Sequence, residues 1–227
     1  MPISQHVVNY DRPRHEIAPS QNVASRKPRL VRGVGHNDAS YPVYGYSNAN
    51  GRQKRLWICP FYAAWKDMLE RCYSEKFLNR YPTYRGCSVE SSWLSLSVFS
   101  EWMSRQDHVG KHLDKDILSP GNKIYSAETC AFISPQLNNF LTNTSSIREG
   151  LPTGVSKTTI GRFSARCRNP FTGHDAHIGM FDNPESAHDA WRERKHFHAC
   201  AYAELQSDHR VAQALRQRYQ PINGGAA

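Results

Sequence analysis

Leu113–Asn139 reads LDKDILSPGNKIYSAETCAFISPQLNN, and the fold reading starts from this stretch. KHLDKDIL reads as a strand, SPGNKIYSAE as a turn-rich loop, and TCAFIS as a second, more apolar strand. PQLNNFLTN then reads as a short helix with Pro135 near its first turn, where a missing N–H costs nothing. Strand, loop, strand and helix in this order make a ββα unit. On a strand, Asp114 and Asp116 are two apart and share one face, with Lys115 opposite. Two carboxylates with Asn138 from the helix form an oxygen-rich set of the kind that Mg²⁺ prefers. The alternative reading is two solvated strand residues and a helix-surface amide.

Upstream, Trp57, Phe61, Ala64/Trp65, Met68/Leu69 and Cys72 recur at helical spacing, predicting an amphipathic helix from Trp57 to about Tyr73. YPTYRGCSV supplies turns, and Trp93, Leu96, Phe99, Trp102 and Met103 form a second helical stripe. Residues 1–55 are rich in Pro, Ser, Asn, Gly and Arg and read as a basic, largely irregular arm. Its clusters SRKPRLVRGVG and GRQKR make Lys54 and Arg55 candidates for a DNA backbone, against the reading of a solvated tail.

Downstream, residues 143–153 read as a linker, followed by candidate strands GVSKTT, RFSARCRN and HDAHIGMF. Asn183 as N-cap, Pro184 and Glu185 open a helix that carries Ala187, Trp191, Phe197 and Ala201 on its stripe. A last helical run spans about Asp208 to Tyr219, before a loose tail. The expected class is therefore α+β: a helical N-terminal half leads into a ββα unit at 56–142. A small sheet-plus-helix unit follows at 154–206, with a C-terminal helix and tail at 207–227.

The chain's net charge of +9 is uneven: +6 over 1–56, zero over 57–150 and +3 over 151–227. Basic flanks around a neutral middle suit a polyanion, through phosphate neutralisation and counterion release. No stretch approaches a membrane span and the N-terminus lacks a signal-peptide core, so the expected location is the cytoplasm. The six cysteines have no close CxxC pair, so free buried thiols are expected and structural Zn²⁺ is not.

From Asp116 onward, DILSPGNKIYSAETCAFISPQLN resembles the HNH (His-Me finger) nuclease motif. It has the small turn Gly121-Asn122-Lys123, the acidic Glu128 before strand two, the apolar Cys130, Phe132 and Ile133, and Asn138 on the helix. Three positions depart: the family's catalytic histidine falls on Asp116, its preceding metal ligand on Lys115 and its central Asn on Thr129. The resemblance implies DNA hydrolysis with Mg²⁺ or Mn²⁺ at Asp114, Asp116 and Asn138. Because the histidine is replaced, a carboxylate, His112 or His108 is left to act as base.

TGVS (Thr153–Ser156), RFSAR (Arg162–Arg166), HIGMF (His177–Phe181) and ESAHDAW (Glu185–Trp191) are similar in order and spacing to the AP2 DNA-binding domain. That resemblance implies a three-stranded antiparallel sheet on one helix, with Lys157, Arg162, Arg166 and Arg168 facing double-stranded DNA. Alternation places Arg162, Ser164, Arg166 and Arg168 on one side and Phe163, Ala165 and Cys167 towards the helix. Together the two resemblances imply a phage- or homing-type endonuclease with no small-molecule cofactor. The competing readings are a non-cutting, regulatory or interfering DNA-binding protein on the same scaffold, and a structural or inhibitory protein that meets an acidic partner.

Overall fold

The structure, a computed structural model, describes residues 30–49, 52–142 and 150–220. The first part of the expected arm, most of the linker and the C-terminal tail lie outside those residues. The class is α+β, with several small sheets rather than one large one.

The chain enters through an antiparallel hairpin, β1 (Tyr44–Ala49) and β2 (Arg52–Ile58). This corrects two expectations: residues 44–49 and 52–55 are strands rather than irregular, and the helix begins at Pro60 rather than Trp57. Trp57 pairs across the hairpin with Gly45 and stays 46% exposed, so it belongs to the strand and not to the helical stripe. Pro60 sets the boundary by occupying the first helical position of α1 (Pro60–Tyr73), where its missing N–H has no helical partner to lose.

A short helix α2 (Glu75–Arg80) follows, then strand β3 (Ser88–Val89). The second aromatic stripe divides: Trp93 sits in a 3₁₀ turn at Ser91–Leu94, and α3 runs Leu96–Ser104. Its side chains still converge. Trp65 of α1, Trp93 and Phe99 are nearly inaccessible, and Trp65 Nε1 donates to the Trp93 carbonyl at 2.7 Å. An indole buried with its N–H satisfied keeps its apolar area without an orphaned donor.

The ββα unit forms as read, with shorter strands. β4 (His112–Asp114) pairs antiparallel with β6 (Ala131–Ile133), and α4 (Pro135–Thr142) returns against them. Between them, β5 (Ile124–Tyr125) joins β3 in a parallel pair. The strand thus ends at Asp114, and Asp116 stands in a bend rather than on a strand face. Arg71 Nη1 of α1 donates to the Leu113 carbonyl at 3.1 Å and ties β4 to the helical half.

The C-terminal sheet has the order β7 (Val155–Lys157), β8 (Phe163–Arg168), β9 (Asp175–Phe181), all antiparallel. Its covering helix α5 runs Pro184–Ala203, capped by the Asn183 side chain accepting from Ser186 N at 2.7 Å. α6 (His209–Gln217) follows, capped by Asp208. The β8–β9 register shifts between Ala165 and Arg166, with the extra residue, Ile178, on β9, so the alternation of β8 itself is unbroken. Arg166 and Arg168 are exposed and Cys167 is buried, but Ser164, paired with both Ser156 and Met180 in the central strand, is buried against the expectation.

A second apolar cluster crosses from the ββα unit to the C-terminal helices. It joins Ile133, Leu137 and Phe140 to Ala199, Tyr202, Val211 and Leu215. Lys195 of α5 lies at its margin, 5% exposed, with Nζ donating to the Phe140 carbonyl at 2.8 Å and lying 3.8 Å from the Phe140 ring centroid. Burial depresses its pKa to about 8 from 10.5, because the charged form loses solvation.

Two measurements test this packing. Gly154 has φ +83° and a Cβ there overlaps the Trp191 ring at Cδ1, so Gly154→Ala combines left-handed backbone strain with overpacking. Urea unfolding is expected to show a loss of about 2–4 kcal/mol, and an unchanged midpoint contradicts the close approach. Lys195 gives a pH signature. Between about pH 8 and 10.5 the unfolded lysine holds a proton that the folded one has released, so this group adds stability as pH rises. Unfolding curves for Lys195→Met are expected to lack that rise relative to the unmodified chain, and matching pH profiles sink the assignment.

Candidate functional site

A cavity of about 340 Å³ lies where β4 ends and α4 passes over it, and Asp114, Asp116, Asn138 and Arg218 line it with Gly121 and Leu141. The structure therefore brings together the three oxygen-bearing residues singled out from the sequence. Asp114 closes a turn on itself: Oδ1 accepts from Asp116 N at 2.9 Å and Ile117 N at 2.7 Å. Burial raises its pKa and the neighbouring Asp116 charge adds to this, while the two backbone donors pull the other way.

Lys115 follows the end of β4 and is buried, but it is not out of the way. Its Nζ turns back to donate to both Asp116 oxygens, at 2.7 and 2.9 Å, and to the Asn122 carbonyl at 2.6 Å. That is the physical answer to a lysine beside two carboxylates: the ammonium is buried because three acceptors surround it.

The GNK turn has a structural task of its own. Gly121 holds φ +78°, and the Asn122 side chain donates to the carbonyls of Lys115 and Ile124 and accepts from Ile124 N. Lys123 Nζ reaches the Thr83 carbonyl at 2.7 Å. Thr129 donates from its hydroxyl to the Ile124 carbonyl at 2.8 Å. Glu128 is exposed.

Neither histidine considered as a base lines the cavity. His112 is exposed at the start of β4, and the His108 ring packs on Phe61 and Phe132, with centroids 5.5 and 5.9 Å away. The residue that sequence reading missed is Arg218. It lies just past α6, 80 positions beyond Asn138, and only the packing of Val211 and Leu215 in the shared cluster carries it to the cavity. Its Nη1 is buried with no hydrogen-bond partner among the described residues. No pattern in the sequence marks it.

Among the described residues, no three His, Cys, Asp or Glu side chains are grouped to hold a metal. The cavity's own donors are two carboxylates and an amide oxygen, which fit a small hard cation in kind, with water completing its shell. Lys115 and Arg218 balance the two carboxylates, so the cavity is formally neutral and weak cation binding is expected. All six cysteines are free and five are buried, and burial pushes the Cys72 and Cys130 thiols up to about 12.

The candidate DNA-contacting residues are exposed but not equivalent. Arg162 Nε is engaged by Asp182 Oδ1 at 2.9 Å, and its Nη2 donates to the Met180 carbonyl. Lys157 ends β7, and Arg166 and Arg168 stand free of ion pairs among the described residues. Lys54 and Arg55 lie on β2, with the Arg55 guanidinium 5.5 Å from the Tyr44 ring centroid. Exposed Tyr46, Leu56 and Trp57 share that hairpin. Among the described residues, no helix is long and apolar enough to cross a membrane. Comparison of the chain with protein-family models, with curated proteins and with solved structures finds no match.

Proposed function

We propose that the chain is a DNA endonuclease of the His-Me finger kind, of phage or mobile-element type, hydrolysing phosphodiester bonds at the Asp114–Asp116–Asn138–Arg218 cavity. The observation that carries this reading is the convergence itself: two carboxylates, an amide and an arginine with an unpartnered buried nitrogen face one space. A phosphodiester is an anion that an arginine holds through paired N–H donors. A divalent cation held by Asp116 and Asn138, with Asp114 left unligated, would supply charge against the phosphate as negative charge builds during hydrolysis.

Asp114 acts as proton acceptor. Burial raises its proton affinity, which makes it a better base than a solvated carboxylate. A water oxygen bonds to phosphorus, its proton passes to Asp114, the bond to the departing sugar oxygen breaks, and that oxygen takes a proton from solvent. Lys115 fixes Asp116 in place, and Arg218 holds the phosphate. The C-terminal sheet, through Arg166 and Arg168, binds the DNA backbone and positions the cavity on it.

A second reading has its own support. Lys115 already engages both oxygens of Asp116, and no histidine lines the cavity. Both facts suit a DNA-binding protein that keeps the scaffold without the chemistry.

Plasmid incubated with Mg²⁺, Mn²⁺ or EDTA separates the two. Metal-dependent nicking or cutting is expected, reduced about 10²–10⁴-fold in Asp114→Asn, whose amide oxygen still accepts the two backbone N–H groups. Arg218→Ala is expected to slow cutting by about 10²–10³-fold while leaving gel shifts intact. Intact plasmid with every metal, beside a clear gel shift, establishes the second reading instead. The double variant Arg166→Ala/Arg168→Ala is expected to lower the slope of log affinity against log salt by about 2, and an unchanged slope removes the sheet from the interface.

A further inference from the structure

The β1–β2 hairpin carries a basic surface that the proposed chemistry leaves unused. From Tyr44 to Ile58 the sequence holds Arg52, Lys54 and Arg55 and no Asp or Glu. Neither Lys54 nor Arg55 is in an ion pair among the described residues. Beside them Tyr46, Leu56 and Trp57 are exposed, Leu56 to 66%, and all three lie outside the core of the helical half. The ribbon is nevertheless anchored at its base. Val43, Tyr44 and Ile58 pack against that core, Cys59 N donates to the Val43 carbonyl at 2.9 Å, and the Tyr44 ring meets Tyr62 of α1 edge-on at 5.2 Å.

The register decides where these side chains point. Residues opposite each other share a face, so Lys54 lies with Ser47 and Arg55 with Tyr46. On a regular strand Arg55 and Trp57, two apart, share a face. Here a shift between Gly45 and Tyr46 leaves Leu56 without a partner and turns Trp57 to the face of Gly45. Tyr44, on the Arg55 face, leans on α1, so the face with Gly45, Ser47, Lys54 and Trp57 is turned outward. The indole lies across Gly45, where a Cβ stands 3.8 Å from Trp57 Cε3. Trp57 has no aromatic neighbour among the described residues, whereas the Arg55 guanidinium stands 5.5 Å from the Tyr44 ring centroid.

This composition selects a partner. A ribbon with three cations and no acid repels a second copy of itself, and its charge fits a polyanion. The small Gly45 and Ser47 let the outward face approach a surface closely, with one large apolar ring and a cation beside them. A DNA major groove, about 12 Å wide, admits a two-stranded ribbon and offers phosphates at its walls and base edges with thymine methyls at its floor. The minor groove, about 6 Å wide, is too narrow.

We propose that the outward face of this ribbon lies in the major groove of duplex DNA, with Trp57 against base edges and Lys54 and Arg55 on the flanking phosphates. This rests on the DNA-binding part of the function proposed above. It gives the duplex a second hold, on the helical half of the chain rather than on the C-terminal sheet.

Acrylamide quenching of the full chain's tryptophan fluorescence reads the ribbon, because Trp65, Trp93 and Trp191 are buried, Trp102 is half-buried and Trp57 is exposed. The probes are an AT-rich duplex of about 30 base pairs, the same duplex with netropsin filling its minor groove, its single strand, and an oligoglutamate peptide. Saturation with duplex, with or without netropsin, is expected to abolish the acrylamide-accessible component, which Trp57→Phe is expected to lack from the start. Lys54→Gln/Arg55→Gln, at exposed positions, is expected to weaken duplex binding at least about ten-fold and to lower the slope of log affinity against log salt by about 2. Duplex binding that leaves Trp57 as quenchable as before, or that the double variant does not weaken, overturns the ribbon proposal and leaves DNA binding by the sheet standing. No duplex binding at all sinks the DNA reading and the ribbon with it. Protection that netropsin removes, or that the single strand gives and the duplex does not, overturns the major-groove placement. Protection by oligoglutamate and not by DNA overturns the proposal in favour of an acidic protein partner.

Discussion

The contact between α4 and the two C-terminal helices governs the functional geometry of this chain. Leu137 and Phe140 on one side meet Tyr202, Val211 and Leu215 on the other, all nearly inaccessible to solvent. Burying side chains of this size contributes roughly 1.5–3 kcal/mol each, enough to fix the relative placement of elements far apart in sequence. Two consequences follow from the same seam. The end of α6 brings Arg218 to the carboxylates of the ββα unit, and α5 sets Lys195 under the Phe140 carbonyl. Neither cation has a reason to sit where it does within its own helix. The apolar contact puts them there, and a cavity opens beside each.

The ββα unit was legible because its signals are local. Turn residues, a proline at the helix start and a change from alternating to continuous apolar residues all act within a few positions. The capped start of α5 was legible for the same reason, with Asn183 accepting the N–H of Ser186 as its position implied. The hairpin at Tyr44–Ile58 was missed because Trp57 happens to fall in phase with the helical stripe that follows. Periodicity alone does not separate a strand end from a first helical turn, and Pro60 was the better guide. The buried Ser164 was missed because alternation says which face a residue takes and not how well that face is covered, and Ser164 lies in the central strand between Ser156 and Met180.

The candidate site was partly legible. Asp114, Asp116 and Asn138 do share a cavity, yet not by the route the spacing implied. A strand was expected to hold the two carboxylates side by side. Instead the strand stops at Asp114, whose own carboxylate ends it by accepting the next backbone N–H groups. Asp116 then reaches the cavity from a bend, steadied by Lys115. Arg218 was illegible because tertiary packing, rather than any local pattern, places it.

Charge balance distinguishes the two cavities. The smaller one pairs two carboxylates with Lys115 and Arg218, so it holds a polar, nearly neutral surface suited to a phosphodiester together with a cation. The larger one has Arg166, Arg168 and Lys195 among its lining residues with a single carboxylate, Asp175. Both open along the seam between the ββα unit and the C-terminal part of the chain. On the function proposed above, chemistry belongs to the smaller cavity and binding to the basic surface beyond it. Because Asp116 is already paired with Lys115, the smaller cavity gains little by attracting a strand on its own. If the chain is the nuclease proposed above, loss of the carboxylates leaves DNA binding by the sheet intact, and loss of Arg166 and Arg168 leaves a catalytic cavity that seldom meets its substrate.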